Sequence, residues 1–157
     1  MAKQALLDHV PIPGDNVYRM KGELDPEEAA KAYGEMLKDK FGDVAGFDVL
    51  LLGMGDDAHT LSLFPGTTAL KETHHRCVAN HVPKLDTWRI TITAPFANRS
   101  EQVLALVTGA NKADALQNVL EGEHDPEQYP TQLIDPGEGR FTILADAAAT
   151  GMHDADE

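Results

Sequence analysis

Cysteine is almost absent from this chain: Cys77 stands alone, which excludes a disulfide framework and a cysteine-based zinc site. Positive charge is scarce as well. Lys and Arg number 13 against 26 Asp and Glu, a formal net charge of −13. A surface so acidic repels nucleic acid and anionic lipid, so neither is an expected partner. An anionic small ligand would need a few cations gathered locally against that field. No apolar run approaches the ~20 residues of a membrane span, and the first twenty residues lack the apolar centre of a signal peptide. With a lone thiol, this points to a cytoplasmic protein. What is present is ordinary: 157 residues, 42% hydrophobic and 25% charged, enough for a single domain over 1–157 with a real core.

Along the chain, Met1–Val10 reads as the last turns of a helix that stops at Pro11-Ile12-Pro13-Gly14. Asp25-Pro26-Glu27-Glu28 is a helix start, with Asp25 as cap, Pro26 in the first helical position and Glu28 placed for a capping box. Ala29, Ala30, Tyr33, Met36, Leu37 and Phe41 then recur at helical spacing, which predicts a helix to about Lys40, ending before Gly42. Phe47–Leu52 and Val103–Val107 are short apolar runs expected as buried, parallel strands. Arg89–Ala94 alternates like a strand, and Phe141–Leu144 is a last one. Asn111–Leu120 predicts a helix closed by Gly122, Asp125–Gly139 an irregular connection, and Asp146–Ala149 the start of a short terminal helix before a frayed 151–157 tail. Strands alternating with helices imply an α/β layer fold with a mostly parallel sheet, which binds ligands at the carboxyl ends of its strands.

Three segments carry chemistry. Gly53-Met54-Gly55-Asp56-Asp57-Ala58 formally satisfies the dinucleotide fingerprint. Asp56 and Asp57 would repel a pyrophosphate there, so the glycines need another reason, such as a sharp turn that presents Asp57 and His59. Local sequence leaves two readings of His59 open: a base oriented by the nearby Asp57, or a surface histidine in a polar turn. His74, His75 and His81 lack any metal-ligand spacing, and Ser62 and Ser100 lie in no nucleophile motif. Thr108-Gly109-Ala110-Asn111-Lys112 resembles a phosphate cradle at a helix start. Taken singly, Lys112 and Arg89 read equally well as solvated cations. With His59 they supply one base and two cations, a set suited to a phosphorylated substrate.

The run Gly53-Met54-Gly55-Asp56-Asp57-Ala58-His59-Thr60-Leu61-Ser62-Leu63-Phe64-Pro65-Gly66 is very similar to the G-x-G-x-D-G-H-T-A-S-L-F-P-G motif of the 6-phosphogluconolactonase family. The likeness continues through Pro83-Lys84, Arg89-Ile90-Thr91-Ile92-Thr93, Leu106-Val107-Thr108-Gly109-x-x-Lys112 and Leu144-Ala145-Asp146-x-Ala148-Ala149. The resemblance implies a Rossmann-like three-layer fold and hydrolysis of 6-phosphogluconolactone to 6-phosphogluconate in the pentose phosphate pathway, with no metal or organic cofactor. By position, His59 resembles the general base, Asp57 the acidic residue that supports it, and Arg89 and Lys112 the cations at the substrate's phosphate. A backbone N–H of the Gly53–Gly55 turn would serve the oxyanion. The related amino-sugar-phosphate isomerases and deaminases share the G-x-D-G-H core but carry I-A-F-N-E-P where this chain has Leu61-Ser62-Leu63-Phe64-Pro65. They are the alternative, together with a catalytically impaired sugar-phosphate-binding fragment.

Two departures set further expectations. Ala58 stands where the family has Gly, and a left-handed backbone there would cost an Ala on the order of 1–2 kcal/mol. Nothing in the chain matches the family's G-G-[ST] loop or D-E-R stretch, so the resemblance implies a chain cut upstream of Met1. Such a chain is expected to expose apolar sheet surface, to self-associate and to hydrolyse the lactone poorly.

Overall fold

The computed structural model describes residues 2–152. A short helix α1 (Ala2–Ala5) and a 3-10 turn at Leu7–His9 end before Pro11, as the sequence predicts. Helix α2 runs Pro26–Phe41, and Asp25 caps it by accepting from the Glu27 and Glu28 backbone N–H groups at 3.0 and 3.1 Å. Gly42, at φ +61, closes it with a hydrogen bond to the Lys38 carbonyl.

Strands β1 (Val49–Gly53), β4 (Gln102–Val107) and β5 (Arg140–Ala145) form a parallel sheet in the order β1-β4-β5. Its register places Leu52 beside Ala105 and Leu106 beside Leu144. Strands β2 (Cys77–Val82) and β3 (Thr87–Ile92) form a separate antiparallel hairpin, joined by a 3-10 turn at Pro83–Leu85. The strand expected at Arg89–Ala94 therefore lies outside the parallel sheet, paired with a strand that periodicity does not reveal. Helices α3 (Ala94–Ala97) and α4 (Ala113–Glu121) complete the regular elements, and Gly122 closes α4 with a hydrogen bond to the Asn118 carbonyl. No described helix is long and apolar enough to cross a membrane.

One core joins α2 (Ala30, Leu37), α3 (Phe96) and α4 (Leu116) to the covered face of the sheet, where Leu52, Val103, Ala105 and Val107 are buried. Phe41, Phe47 and Phe96 meet edge to face within it, with centroids 5.1 to 5.9 Å apart. The other face of the sheet differs. Val49, Leu51, Leu106 and Leu144 are each more than half exposed. The apolar runs at Phe47–Leu52 and Val103–Val107 are thus half-buried strands rather than fully buried ones. The terminal helix expected from Asp146 is instead a hydrogen-bonded turn, closed by Thr150 N–H to the Asp146 carbonyl at 3.1 Å. Its Asp146 carboxylate accepts from Ala149 N and from the distant Gly109 N, which fastens the segment to the β4–α4 connection. Of the expected frayed tail, residues 153–157 lie outside the described residues.

Candidate active site

The loop after β1 turns back on itself through its own backbone. Gly55 N–H donates to the His59 carbonyl at 2.8 Å, and Ala58 N–H to the Gly55 carbonyl at 3.2 Å. Thr60 Oγ1 donates to the Gly53 carbonyl at 2.9 Å. From across the molecule, Thr131 fixes the Ala58 carbonyl with both its N–H (3.0 Å) and its hydroxyl (2.7 Å). Ala58 is fully buried at φ +58, so the left-handed conformation is kept although an Ala occupies it. Leu61 is left-handed too, at φ +55.

This loop sets Asp57 Oδ1 2.6 Å from His59 Nδ1 and 3.2 Å from the His59 backbone N–H, which donates to it. Facing a carboxylate, Nδ1 is placed to donate the ring hydrogen, an arrangement that leaves Nε2 as the acceptor. The imidazole stacks on Phe64, with centroids 4.0 Å apart and ring planes 19° apart. Asp57 Oδ2 accepts from Lys84 Nζ at 2.9 Å. Burial pushes the Asp57 carboxyl up, but the hydrogen bonds from His59 and Lys84 outweigh it and bring its pKa down to about 2. Asp57 is therefore a fixed anion at neutral pH.

The glycines now have a physical reason. A Cβ on Gly55 would overlap Nδ1 and Cε1 of His59 and approach Asp57 Oδ1 to 2.7 Å. Gly55 is bare so that the His–Asp pair can lie against its backbone. Gly53 has open space where its Cβ would be. The Gly55 N–H, spent on the His59 carbonyl, is unavailable to an oxyanion, so that part of the expectation does not apply to Gly55.

His59, Gly53, Gly55 and Lys112 line one cleft of about 370 Å³, with Leu51, Leu52, Met54 and Leu61 as its apolar wall. Lys112 reaches it from the 3-10 turn Ala110–Lys112, entered through Gly109 at φ +97. Both oxygens of Asp146 accept from Gly109 N–H at 3.1 Å, so this turn is held by a carboxylate. Arg89 stands outside the cleft lining. It pairs with Asn80 across the hairpin, and Asn80 donates to the Ser62 carbonyl at 2.8 Å and to Thr67 Oγ1 at 3.0 Å. Cross-strand partners share a face, so Arg89 lies on the hairpin face turned toward the 62–67 segment.

Periodicity does not reveal the roles of Lys84, Phe64, Thr131 and Asp146. Each acts through a partner distant in sequence or through a ring contact. The one available signal is that Phe64, Lys84 and Asp146 fall in the segments that carry the family likeness. A larger hollow of about 790 Å³ lies between α2 and β2 and includes none of these groups.

With this geometry in place, the chain can be set beside known proteins. A family profile described as "Glucosamine-6-phosphate isomerases/6-phosphogluconolactonase" matches residues 1–143. The 6-phosphogluconolactonase of Synechocystis sp. is 41% identical over 154 residues, 95% of this chain and 63% of that protein. The human 6-phosphogluconolactonase is 38% identical over 151 residues, 94% of this chain and 58% of that protein. The solved 6-phosphogluconolactonase of Trypanosoma brucei superposes with a TM-score of 0.79 at 27% identity, covering 96% of this chain and 65% of that one. The chain thus spans about three fifths of the curated relatives it matches.

Proposed function

Since the chain belongs to the glucosamine-6-phosphate isomerase/6-phosphogluconolactonase family, we propose that its site hydrolyses 6-phospho-D-glucono-1,5-lactone to 6-phospho-D-gluconate, a cytosolic step of the pentose phosphate pathway. The observation that carries this reading is the carboxylate-bound imidazole, with Asp57 Oδ1 2.6 Å from His59 Nδ1, in a cleft shared with a lysine. His59 Nε2 takes a proton from water as the water oxygen bonds to the lactone carbonyl carbon. Asp57 stabilises the imidazolium that results. When the tetrahedral intermediate collapses, the bond from that carbon to the ring oxygen breaks, and His59 returns the proton to the departing oxygen. Lys112 and Arg89 are assigned to the phosphate dianion. Binding there, remote from the reacting carbon, orients the carbonyl for attack. The reaction so written consumes water alone.

Two observations favour the lactonase over the isomerase or deaminase alternative. Relatives at 38 and 41% identity are named 6-phosphogluconolactonases, and Leu61–Pro65 ends in L-F-P as the lactonase-like motif does. The bare sheet face carrying Leu51, Leu106 and Leu144 supports the further reading that this chain self-associates, which sedimentation at increasing concentration measures.

His59→Asn is the test of the reaction. Lactone hydrolysis, corrected for the spontaneous reaction, is expected to fall by about 10²–10⁴-fold, the usual effect of losing a general base. Circular dichroism should be unchanged. A variant within about threefold of the parent removes His59 from that role.

A further inference from the structure

Lys84 has no part in the proposed reaction, yet it touches the group on which the base depends. It sits in the 3-10 turn Pro83–Leu85 at the tip of the β2–β3 hairpin, and its ammonium donates to Asp57 Oδ2 at 2.9 Å. The other oxygen, Oδ1, receives both the His59 ring and the His59 backbone N–H. The Asp57 side chain is only 21% exposed. A carboxylate on one torsion would otherwise swing between these donors and water. From this arrangement we infer that Lys84 is a positioning residue for the proposed lactonase reaction, clamping Oδ2 of Asp57 so that Oδ1 stays on Nδ1 of His59.

The inference rests on the proposed role of His59, but its geometry makes separate demands. With Oδ1 held in place, the ring is confined to the tautomer with hydrogen on Nδ1, the form whose Nε2 can accept a proton from water. The clamp also ties the hairpin that bears Arg89 to the loop that bears the base, across the 27 positions between Asp57 and Lys84. Besides Asp57 and Lys84, the charged groups around this site are Asp56 on the same loop, whose charge acts on Lys84, and Lys112 across the cleft. Neither of them replaces the Lys84 contact to Oδ2.

Lys84→Met and Lys84→Arg in the full chain test this, read in two ways. Nitrogen-15 NMR of the His59 ring, assigned against His59→Asn, should show the Nδ1–H tautomer dominant in the parent, mixed with the Nε2–H form in Lys84→Met, and restored in Lys84→Arg. This readout stands even if lactone hydrolysis proves absent. In the assay, Lys84→Met should lower kcat by up to about 10²-fold, as misplacement of a catalytic group does, with KM nearly unchanged. Lys84→Arg should recover most of the loss. An unchanged tautomer in Lys84→Met overturns the inference. So does a raised KM for the phosphorylated lactone with kcat intact, which would make Lys84 a phosphate contact. A lower Tm with the tautomer and kcat unmoved would make it a structural tether and overturn the inference as well.

Discussion

Around His59 the loop's polar atoms are spent within the protein: backbone to backbone, Thr60 to Gly53, Ala58 to the distant Thr131, and Asp57 shared between His59 and Lys84. Lys112 and Arg89 differ. Neither makes an ion pair with another described residue, and each is placed only by the backbone that carries it, a 3-10 turn for one and a strand for the other. The imidazole is therefore oriented by the protein itself, whereas the two cations have no described ion-pair partner and, in the proposed reaction, would take one from the substrate's phosphate. Preorganisation of this kind acts on kcat, while phosphate contacts of the kind proposed act first on affinity and, through orientation, on rate.

The sharpest way to break the contrast is Gly55→Ala. A methyl there occupies the space of the His59 ring, so the base must leave its carboxylate. Activity is expected to fall by about 10²-fold or more, the scale of a misplaced catalytic group, while 6-phosphogluconate still binds. Calorimetry beside the kinetic assay separates the two effects, and equal losses of binding and rate would mean that the halves are not independent.

On the cation side, Arg89→Ala and Lys112→Ala should each cost roughly 1.5–3 kcal/mol in 6-phosphogluconate binding, the range for charge-assisted hydrogen bonds. Unphosphorylated gluconate should lose much less. Affinity of the parent should fall as ionic strength rises, because Arg89 is exposed and Lys112 half-exposed. If both ligands weaken alike, the cations do not read phosphate.

A smaller effect comes from pH. The Asp57 carboxyl lies at about 2, below its ordinary 3.8. The stability it contributes is complete above pH 3.8 and is lost as pH falls through about 2. Urea midpoints taken from pH 5 down to 2 should therefore fall more steeply for the parent than for Asp57→Asn. Parallel curves would show that the His59–Asp57–Lys84 contacts do not survive in solution.

The smallest change is expected at Ala58. Glycine there releases the left-handed strain of about 1–2 kcal/mol. It also loses a buried methyl worth roughly 0.8 kcal/mol and restores unfolded-chain entropy of about 0.4–1 kcal/mol. Thermal unfolding of Ala58→Gly should thus stay within about 1 kcal/mol of the parent, with kcat unchanged. A marked gain in kcat would mean that the Ala displaces His59.

What could be read from the sequence follows the same division. The turn around Gly55, Asp57 and His59 is compact in sequence, so its motif and its left-handed Ala58 were legible in advance. The helix start at Asp25 was legible for the same reason, since a cap and its donors lie within three residues. Strand β2 was not. Asn80 interrupts its apolar alternation, and Asn80 is fully buried because it bonds to Ser62 and Thr67, residues that only folding brings near. The Asp146 turn departs from the helix expected there, and its carboxylate serves Gly109 across the β4–α4 connection as well as its own segment. Lys84, between a proline and a leucine, carries no local mark of the carboxylate it holds.

The order of the parallel sheet also bears on how the chain folds. Val49 must find Gln102, and Gln102 must then find Arg140, before any ladder of that sheet exists. The β2–β3 hairpin, by contrast, closes over the three-residue turn Pro83–Leu85. Closing long loops exacts its entropy before the contacts repay it, so the hairpin with Lys84 and Arg89 is poised to form early and the sheet late. The ladder between β1 and β4 therefore waits for every residue between Gly53 and Gln102 to be made, and the loop that carries His59 lies within that stretch.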